Sequence, residues 1–291
     1  MPGNISIIGT GNMGGGMAAR LLDLGQAVQI HDINPAQTTV LESKGAVVQA
    51  SPALAAMNTV ATVVCVVDAA QTEDVLFGPQ GLAPAVPRGH TVVLCPTIAP
   101  QDVESFAQRL GALGIATVDA PMSGGPARAR DGTMSLMVAC AAPVFERHAA
   151  LFQALSSKVF RISERPGDGA RTKLVNNLLA GINLVGAAEV MALAQRLGLD
   201  LGATLDVIEQ SSGQSWIGSD RLRRAIAGDY APRAHVTLLE KDTRLAMEAA
   251  QAAGFAGPLG AAARDTFARA HAEGLAGLDD GAIFQLLSRQ G

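Results

Sequence analysis

The chain has 291 residues, 48% of them hydrophobic and 16% charged. That supplies enough apolar material for a real core, too little charge for a disordered chain, and a length that suits two domains. With 22 basic against 26 acidic residues and a formal charge of −4, no basic stripe is left for a nucleic acid to find.

In chain order, Ile5 to Ile8 reads as a first strand, followed by glycines and a helical pattern through Leu24. Ala27 to His31 is a second strand and Val60 to Val67 a third, with later strands at Thr91 to Leu94, Ala116 to Asp119 and Ser135 to Ala139. Strand and helix in alternation predict a parallel sheet with helices on both faces. Val63 to Val67 is apolar without alternation, as strands covered on both sides are. From Ala170 to Leu197 there is a long helical stretch without proline, whose apolar residues (Leu174, Leu178, Leu184, Ala188, Met191) keep helical spacing. Further helices are expected at Leu201 to Gln210, Ser219 to Ala227, His235 to Ala253, Leu259 to Glu273 and Asp280 to Ser288, with no strand among them. The turn-rich segment Glu164 to Gly169 divides an α/β domain, residues 1–165, from an all-helical domain, residues 166–291, with the long helix as the link.

The longest apolar run falls well short of the roughly 20 residues that span a bilayer, and the N-terminus does not read as a signal peptide. Cys65, Cys95 and Cys140 form no CxxC pair, and the five histidines have no metal-ligand spacing. A reduced, cytoplasmic compartment is expected, with no metal site, no disulfide framework and no membrane partner.

Gly9-Thr10-Gly11-Asn12-Met13-Gly14 is GxGxxG between a strand and a helix. The first two glycines allow the tight turn and close approach to a pyrophosphate, and the third allows tight helix–strand packing. The helix N-terminus then offers its N–H groups to the phosphates. Asp32 ends the second strand, where a carboxylate takes the adenosine-ribose hydroxyls. Its charge would repel a 2′-phosphate, which favours NAD over NADP; capping of the next helix is a compatible second role. The fold expected is therefore an N-terminal Rossmann dinucleotide-binding domain followed by an all-α domain.

Ser123-Gly124-Gly125, just past a strand, offers a hydroxyl and backbone N–H groups to a carboxylate, though an ordinary tight turn has the same composition. Lys173 and Asn177 are i and i+4 near the start of the long helix and share a face. A lysine there is disfavoured by the helix dipole and easier to deprotonate, in a chain with 18 arginines and only four lysines. A solvated surface lysine remains the other reading. Lys241-Asp242 reads as a solvent-exposed pair, and Trp216 as a packing anchor, the alternative being that its polar loop, Ser211 to Trp216, lines a pocket.

These motifs, in this order, resemble the β-hydroxyacid dehydrogenase family over essentially the whole chain, from Ile5 to about Leu287. The second half is most similar to L-threonate dehydrogenase-like members, through Ser211 to Trp216 and Gly228 to Arg233. The resemblance implies that Lys173 is the catalytic acid/base, that Asn177 positions the substrate, and that Ser123, Gly124 and Gly125 bind its carboxylate. It implies that Gly9, Gly11, Asn12, Met13, Gly14 and Asp32 hold the cofactor. Val67 and Asp68 would lie near its adenosine side, and Thr97 and Lys241 near the nicotinamide. It further implies a homodimer or homotetramer formed through the helical domain. Two departures stand out: Cys95-Pro96-Thr97 carries proline where the family has serine, and Val66-Val67-Asp68 lacks a proline common in relatives. The function expected is reversible, NAD-dependent oxidation of a small hydroxy acid, such as 3-hydroxyisobutyrate or a four-carbon sugar acid. The alternatives are an NADPH-dependent semialdehyde or glyoxylate reductase, an imine reductase of the same fold, and an idle dinucleotide sensor; Lys173 and Asp32 weigh against them.

Overall fold

β-Branched runs separated by glycine and proline turns fold the first half around a sheet. The computed structural model describes residues 3–289, and the chain divides into two units, Met1–Lys173 and Leu174–Gly291. The first contains β1 (Ile5–Ile8), α1 (Asn12–Asp23), β2 (Val28–His31), α2 (Thr39–Ser43), β3 (Val47–Val48) and α3 (Pro52–Ala56). It continues with β4 (Ala61–Val64), α4 (Ala69–Phe77), β5 (Thr91–Leu94), α5 (Pro100–Ala112), β6 (Ala116–Asp119) and β7 (Met122–Ser123). Then come α6 (Gly125–Asp131), β8 (Met134–Ala139), α7 (Ala142–Leu155), β9 (Ser156–Ser163) and the start of α8 (Asp168–Arg196).

Among the described residues the strands form one sheet in the order β3-β2-β1-β4-β5-β6-β8-β7, with β9 on the other side of β8. From β3 to β6 every pairing is parallel. The winding reverses between β1 and β4, and in such sheets ligands bind outside the carboxyl ends of the strands at that reversal. One face buries Ile5, Ile7, Ile30 and Val63 against Met17, Leu21 and Phe152. The other buries Ile8, Val64, Val92 and Leu94 against Leu76, Val103 and Leu110. Double coverage explains the unbroken apolar runs.

The wholly parallel sheet is corrected at one edge, where β8 runs antiparallel to β6 and β7. The short return through α6 ends at Gly132, φ 70°, and brings the chain back beside the strand it has just left. β4 is shorter than the expected Val60 to Val67 because its neighbour β1 ends opposite Val64. β3, β7 and β9 were not expected; β9 is a half-exposed edge carrying Lys158 and Arg161, a composition that protects an edge and hides a strand.

At the amino ends of β4 and β5 lie buried histidine–threonine contacts. His90 Nδ1 donates to the Thr59 carbonyl at 3.2 Å, Nε2 meets Thr62 Oγ1 at 2.9 Å, and His148 Nε2 meets Thr91 Oγ1 at 2.9 Å. Burial, with Arg147 nearby, depresses His148 to about 4, and burial also lowers His90. The neutral ring belongs to the folded state, so this contribution is fully present above the unfolded histidine value near 6.5. It is lost as pH falls from there toward 4, by about 3 kcal/mol for His148. Urea midpoints at pH 7.5 and 4.5 should show this loss, and His148→Gln should flatten the slope; an equal slope in both proteins refutes the assignment.

The second unit holds most of α8 with α9 (Leu201–Glu209), α10 (Trp216–Ile226), α11 (Val236–Ala252), α12 (Pro258–Ala270) and α13 (Ile283–Ser288). Among its described residues there is no strand, only an isolated bridge between His235 and Asp279. Asp200 caps α9 and Ser215 caps α10 through side-chain oxygens. α12 stops at Ala270, before the expected Glu273, in a π turn that holds Gly274 at φ 84°. By length and composition α8 could pass for a membrane span. A third of that apolar window is buried, with Leu184, Ala188 and Met191 completely enclosed in the core beside Leu205, Leu222 and Phe267.

Candidate active site

The glycine loop explains its own residues. Gly9 has φ +87°, and a Cβ there would lie 2.5 Å from the Cys65 carbonyl oxygen; at Gly14 it would lie 1.9 Å from that of Gly9. Gly11 differs: its backbone angle suits any residue, and a Cβ would enter open space. It is also the N-cap of α1 and supplies no side-chain cap, so first-turn N–H groups face that space. A pyrophosphate fits these features, because a side chain at Gly11 would fill the cradle it needs. Asn12 is exposed on the first turn, and Met13 packs against the core.

Asp32 follows β2. Its Oδ2 accepts from Thr10 N at 2.7 Å and its Oδ1 from Asn34 N at 2.8 Å, which fixes the carboxylate beside the glycine loop. The cap of the following turn is Asn34, which accepts from Ala36 N at 3.1 Å, and not Asp32. Beyond β4, Asp68 caps α4 by accepting from Gln71 N at 2.9 Å, and Val67 is exposed. Thr97 lies half-buried beyond β5, next to buried Cys95 and Pro96. Ser123 pairs with Ser135 across β7 and β8. Gly124 and Gly125 follow at φ +139° and +76°, and Gly125 opens onto free space. The carboxyl side of one sheet thus collects Gly9 to Gly14, Asp32, Val67, Asp68, Thr97 and Ser123.

Burial pushes the Cys65 thiol up to about 12 and Cys95 well above its ordinary value, so both stay protonated and inert.

Lys173 is 8% exposed, which overturns the surface-lysine reading. The first turn of its helix is tied to the sheet by Asp119, a residue that motif reading passes over as a strand end. Asp119 Oδ2 accepts from Gly167 N at 2.8 Å and Ala170 N at 3.0 Å. Burial raises this carboxyl to about 6 against the pull of those N–H groups.

In the second unit, Asn177 Nδ2 donates to Asp242 Oδ2 at 2.5 Å. Lys241 Nζ lies 3.1 Å from Asp242 Oδ1, an ion pair. Asp242 is only 6% exposed, so the solvent-exposed pair expected at 241–242 is corrected: an aspartate buried among partners needs them, and Asn177 is one. Nothing in the local sequence signals that contact across 65 positions. For Trp216 the packing-anchor reading is corrected in favour of the pocket-lining one. As the first residue of α10 it stands 56% exposed, on an open cavity lined also by Gln214, Arg223 and Arg233.

Comparison with known proteins matches residues 4–163 to the NAD binding domain of 6-phosphogluconate dehydrogenase. Residues 167–287 match the NAD-binding domain of NADP-dependent 3-hydroxyisobutyrate dehydrogenase. The chain is 37% identical over 286 residues to an L-threonate dehydrogenase of Cupriavidus necator, covering 98% of this chain and 96% of that one. It is 35% identical over 294 residues to a 3-hydroxyisobutyrate dehydrogenase of Pseudomonas aeruginosa, covering 97% and 98%. The crystal structure of a 3-hydroxyisobutyrate dehydrogenase from Salmonella typhimurium superposes with a TM-score of 0.91 at 36% identity, over 97% of this chain and 99% of that one.

Proposed function

The chain belongs to the 3-hydroxyisobutyrate dehydrogenase family of NAD(P)-dependent enzymes acting on CH–OH groups, and from that premise we propose that it oxidises a small hydroxy acid reversibly with NAD, using Lys173 as general acid/base. The substrate class is 3-hydroxyisobutyrate-like or a four-carbon sugar acid such as L-threonate, the substrate named by a relative at 37% identity. The observation that carries the reading is Lys173 itself, a buried lysine one helical turn before an asparagine.

In oxidation, unprotonated Lys173 takes the hydroxyl proton of the substrate; in reduction its ammonium returns it. Bound cofactor supplies the hydride acceptor or donor. Asn177 gives one N–H to Asp242 and keeps a second for the reacting oxygen. The Ser123 hydroxyl and the N–H groups of Gly124 and Gly125 hold the substrate carboxylate. The cofactor lies on Gly9, Gly11, Asn12, Met13, Gly14 and Asp32, with Val67 and Asp68 on its adenosine side and Thr97 and Lys241 toward the nicotinamide. Residues 1–165 serve as the dinucleotide-binding domain and residues 166–291 as the domain for substrate and subunit contacts. A cytoplasmic homodimer or homotetramer accompanies this reading. Val175, Leu179, Val190, Leu193 and Leu197 are exposed along α8 at helical spacing, and such a face suits a second copy.

The test is turnover followed at 340 nm with NAD and NADP offered separately, over L-threonate, 3-hydroxyisobutyrate, glycerate and serine. Turnover with NAD is expected. Turnover with NADP alone overturns the reading of Asp32, and silence with NADH still binding overturns the substrate class. Asp32→Asn keeps the size and one of the two acceptor oxygens while removing the charge, and should shift the NADP/NAD efficiency ratio toward NADP by about tenfold, or 1.4 kcal/mol. An unmoved ratio refutes the role of that charge.

A further inference from the structure

Asp119 ends β6 with its carboxylate 1% exposed. Its Oδ2 takes the N–H groups of Gly167 and Ala170, the second belonging to the first turn of α8. These are groups that a helix cannot satisfy internally, and a buried anion beside them also suits the helix dipole. The contact is built into the backbone. A Cβ on Gly169 would lie 2.9 Å from the Asp119 carboxylate carbon and 2.8 Å from the Met137 carbonyl oxygen, so glycine is what lets the carboxylate in. The helix's own leading residue, Asp168, is engaged elsewhere, by Ser163, Arg165 and Arg171. The ion pairs of Arg165 with Asp168 and of Arg171 with Glu104 use arginines 70% and 40% exposed, where water and salt screen them. The buried, charged acceptor is the stronger tie.

Asp119 stands between two pieces of the proposed chemistry. Four residues after it comes Ser123, which opens the carboxylate loop, and three residues after Ala170 comes Lys173. We propose that Asp119 is a positioning residue, clamping the first turn of α8 to the end of β6 so that Lys173 and the Ser123–Gly125 loop hold one spacing. This rests on the acid/base role of Lys173.

The experiment measures kcat and KM for the hydroxy acid, NADH affinity by fluorescence, and melting temperature in Asp119→Asn, Asp119→Ala, Lys173→Ala and the double variant Asp119→Ala/Lys173→Ala. Asp119→Ala should lower kcat by about 100-fold, the scale of a misplacement near 1 Å, while NADH affinity holds within about threefold. Asp119→Asn keeps an oxygen for the two donors and should recover kcat to about 3–10-fold below wild type. In the Lys173→Ala background, Asp119→Ala should add no further loss. Wild-type kcat in Asp119→Ala overturns the proposal, as does a parallel fall in NADH affinity or a further tenfold loss in the double variant. Should Asp119→Ala fail to fold, Asp119→Asn decides alone: reduced kcat with unmoved NADH affinity supports the role, and wild-type kcat overturns it. Full turnover in Lys173→Ala would sink the acid/base reading, whereas an inactive Lys173→Ala beside an active Asp119→Ala sinks only the clamp.

Discussion

Replacing Lys173 by alanine is expected to lower turnover of the hydroxy acid by about 10²–10⁴, the usual worth of a positioned acid/base. NADH binding should survive. The proposed cofactor cradle is built from the ends of β1 and β2, around Gly11 and Asp32, while Lys173 lies on α8. The lysine is buried, so its stem contributes packing as well as its amine. Lys173→Met keeps most of the stem and separates the two effects. If catalysis is the role, Met and Ala variants lose turnover alike, and only the Ala variant loses melting temperature. Turnover is read at 340 nm and NADH binding by fluorescence titration. Undiminished turnover in either variant refutes the assignment, and loss of NADH binding in both points to a cofactor role instead.

The largest expected stability effect lies in the second unit, at Asp279. This carboxylate is 1% exposed and accepts from Arg233 N at 2.8 Å, Gly281 N at 3.2 Å and Arg224 Nη1 at 3.1 Å. Burial pushes it upward, but those N–H groups and the arginines outweigh burial and hold it below the usual carboxylate range. Beside it, buried Asp280 pairs with Arg221 and is raised to about 7 by burial. The network pins the segment leading into α11, since Arg224 also holds Asp229 and the Ala231 carbonyl. Asp279→Ala takes the acceptor from at least two backbone N–H groups and one of the two carboxylates from Arg224, which keeps Asp229. The loss should be about 3–5 kcal/mol, a large share of the 5–15 kcal/mol typical of a folded domain. Urea unfolding of wild type and variant measures it, and a change below about 1 kcal/mol would show that water or a shifted neighbour replaces the carboxylate.

Much of the fold, and the glycine loop of the proposed cofactor cradle, was legible from local patterns. Strands at Ile5–Ile8 and Thr91–Leu94 are short apolar runs between turn residues, and the α8 pattern persists for many turns. Gly9 and Gly14 are demanded by a turn a few residues long, and Gly11 between them leaves open space, so their spacing carries their meaning. Asp32 is read from where a strand ends. Lys173 and Asn177 share a helix face whatever surrounds the helix. Each of these signals acts over one turn or one strand, within reach of backbone sterics and side-chain period.

The rest depended on partners far along the chain. β9 is a polar edge that becomes a strand only because β8 is there to pair with it. Trp216 stands exposed although tryptophan usually buries. Asp119 meets residues 48 and 51 positions away, Asp242 meets one 65 away, and Asp279 meets one 46 away. An acidic residue is ordinarily solvated, and one is buried only where folding delivers N–H groups or cations to it. Short-range pattern therefore settled the family of fold and marked the glycine loop and Asp32 on which the proposed cofactor site rests. Which carboxylates hold that machinery in position was decided by which donors the folded chain brings to them.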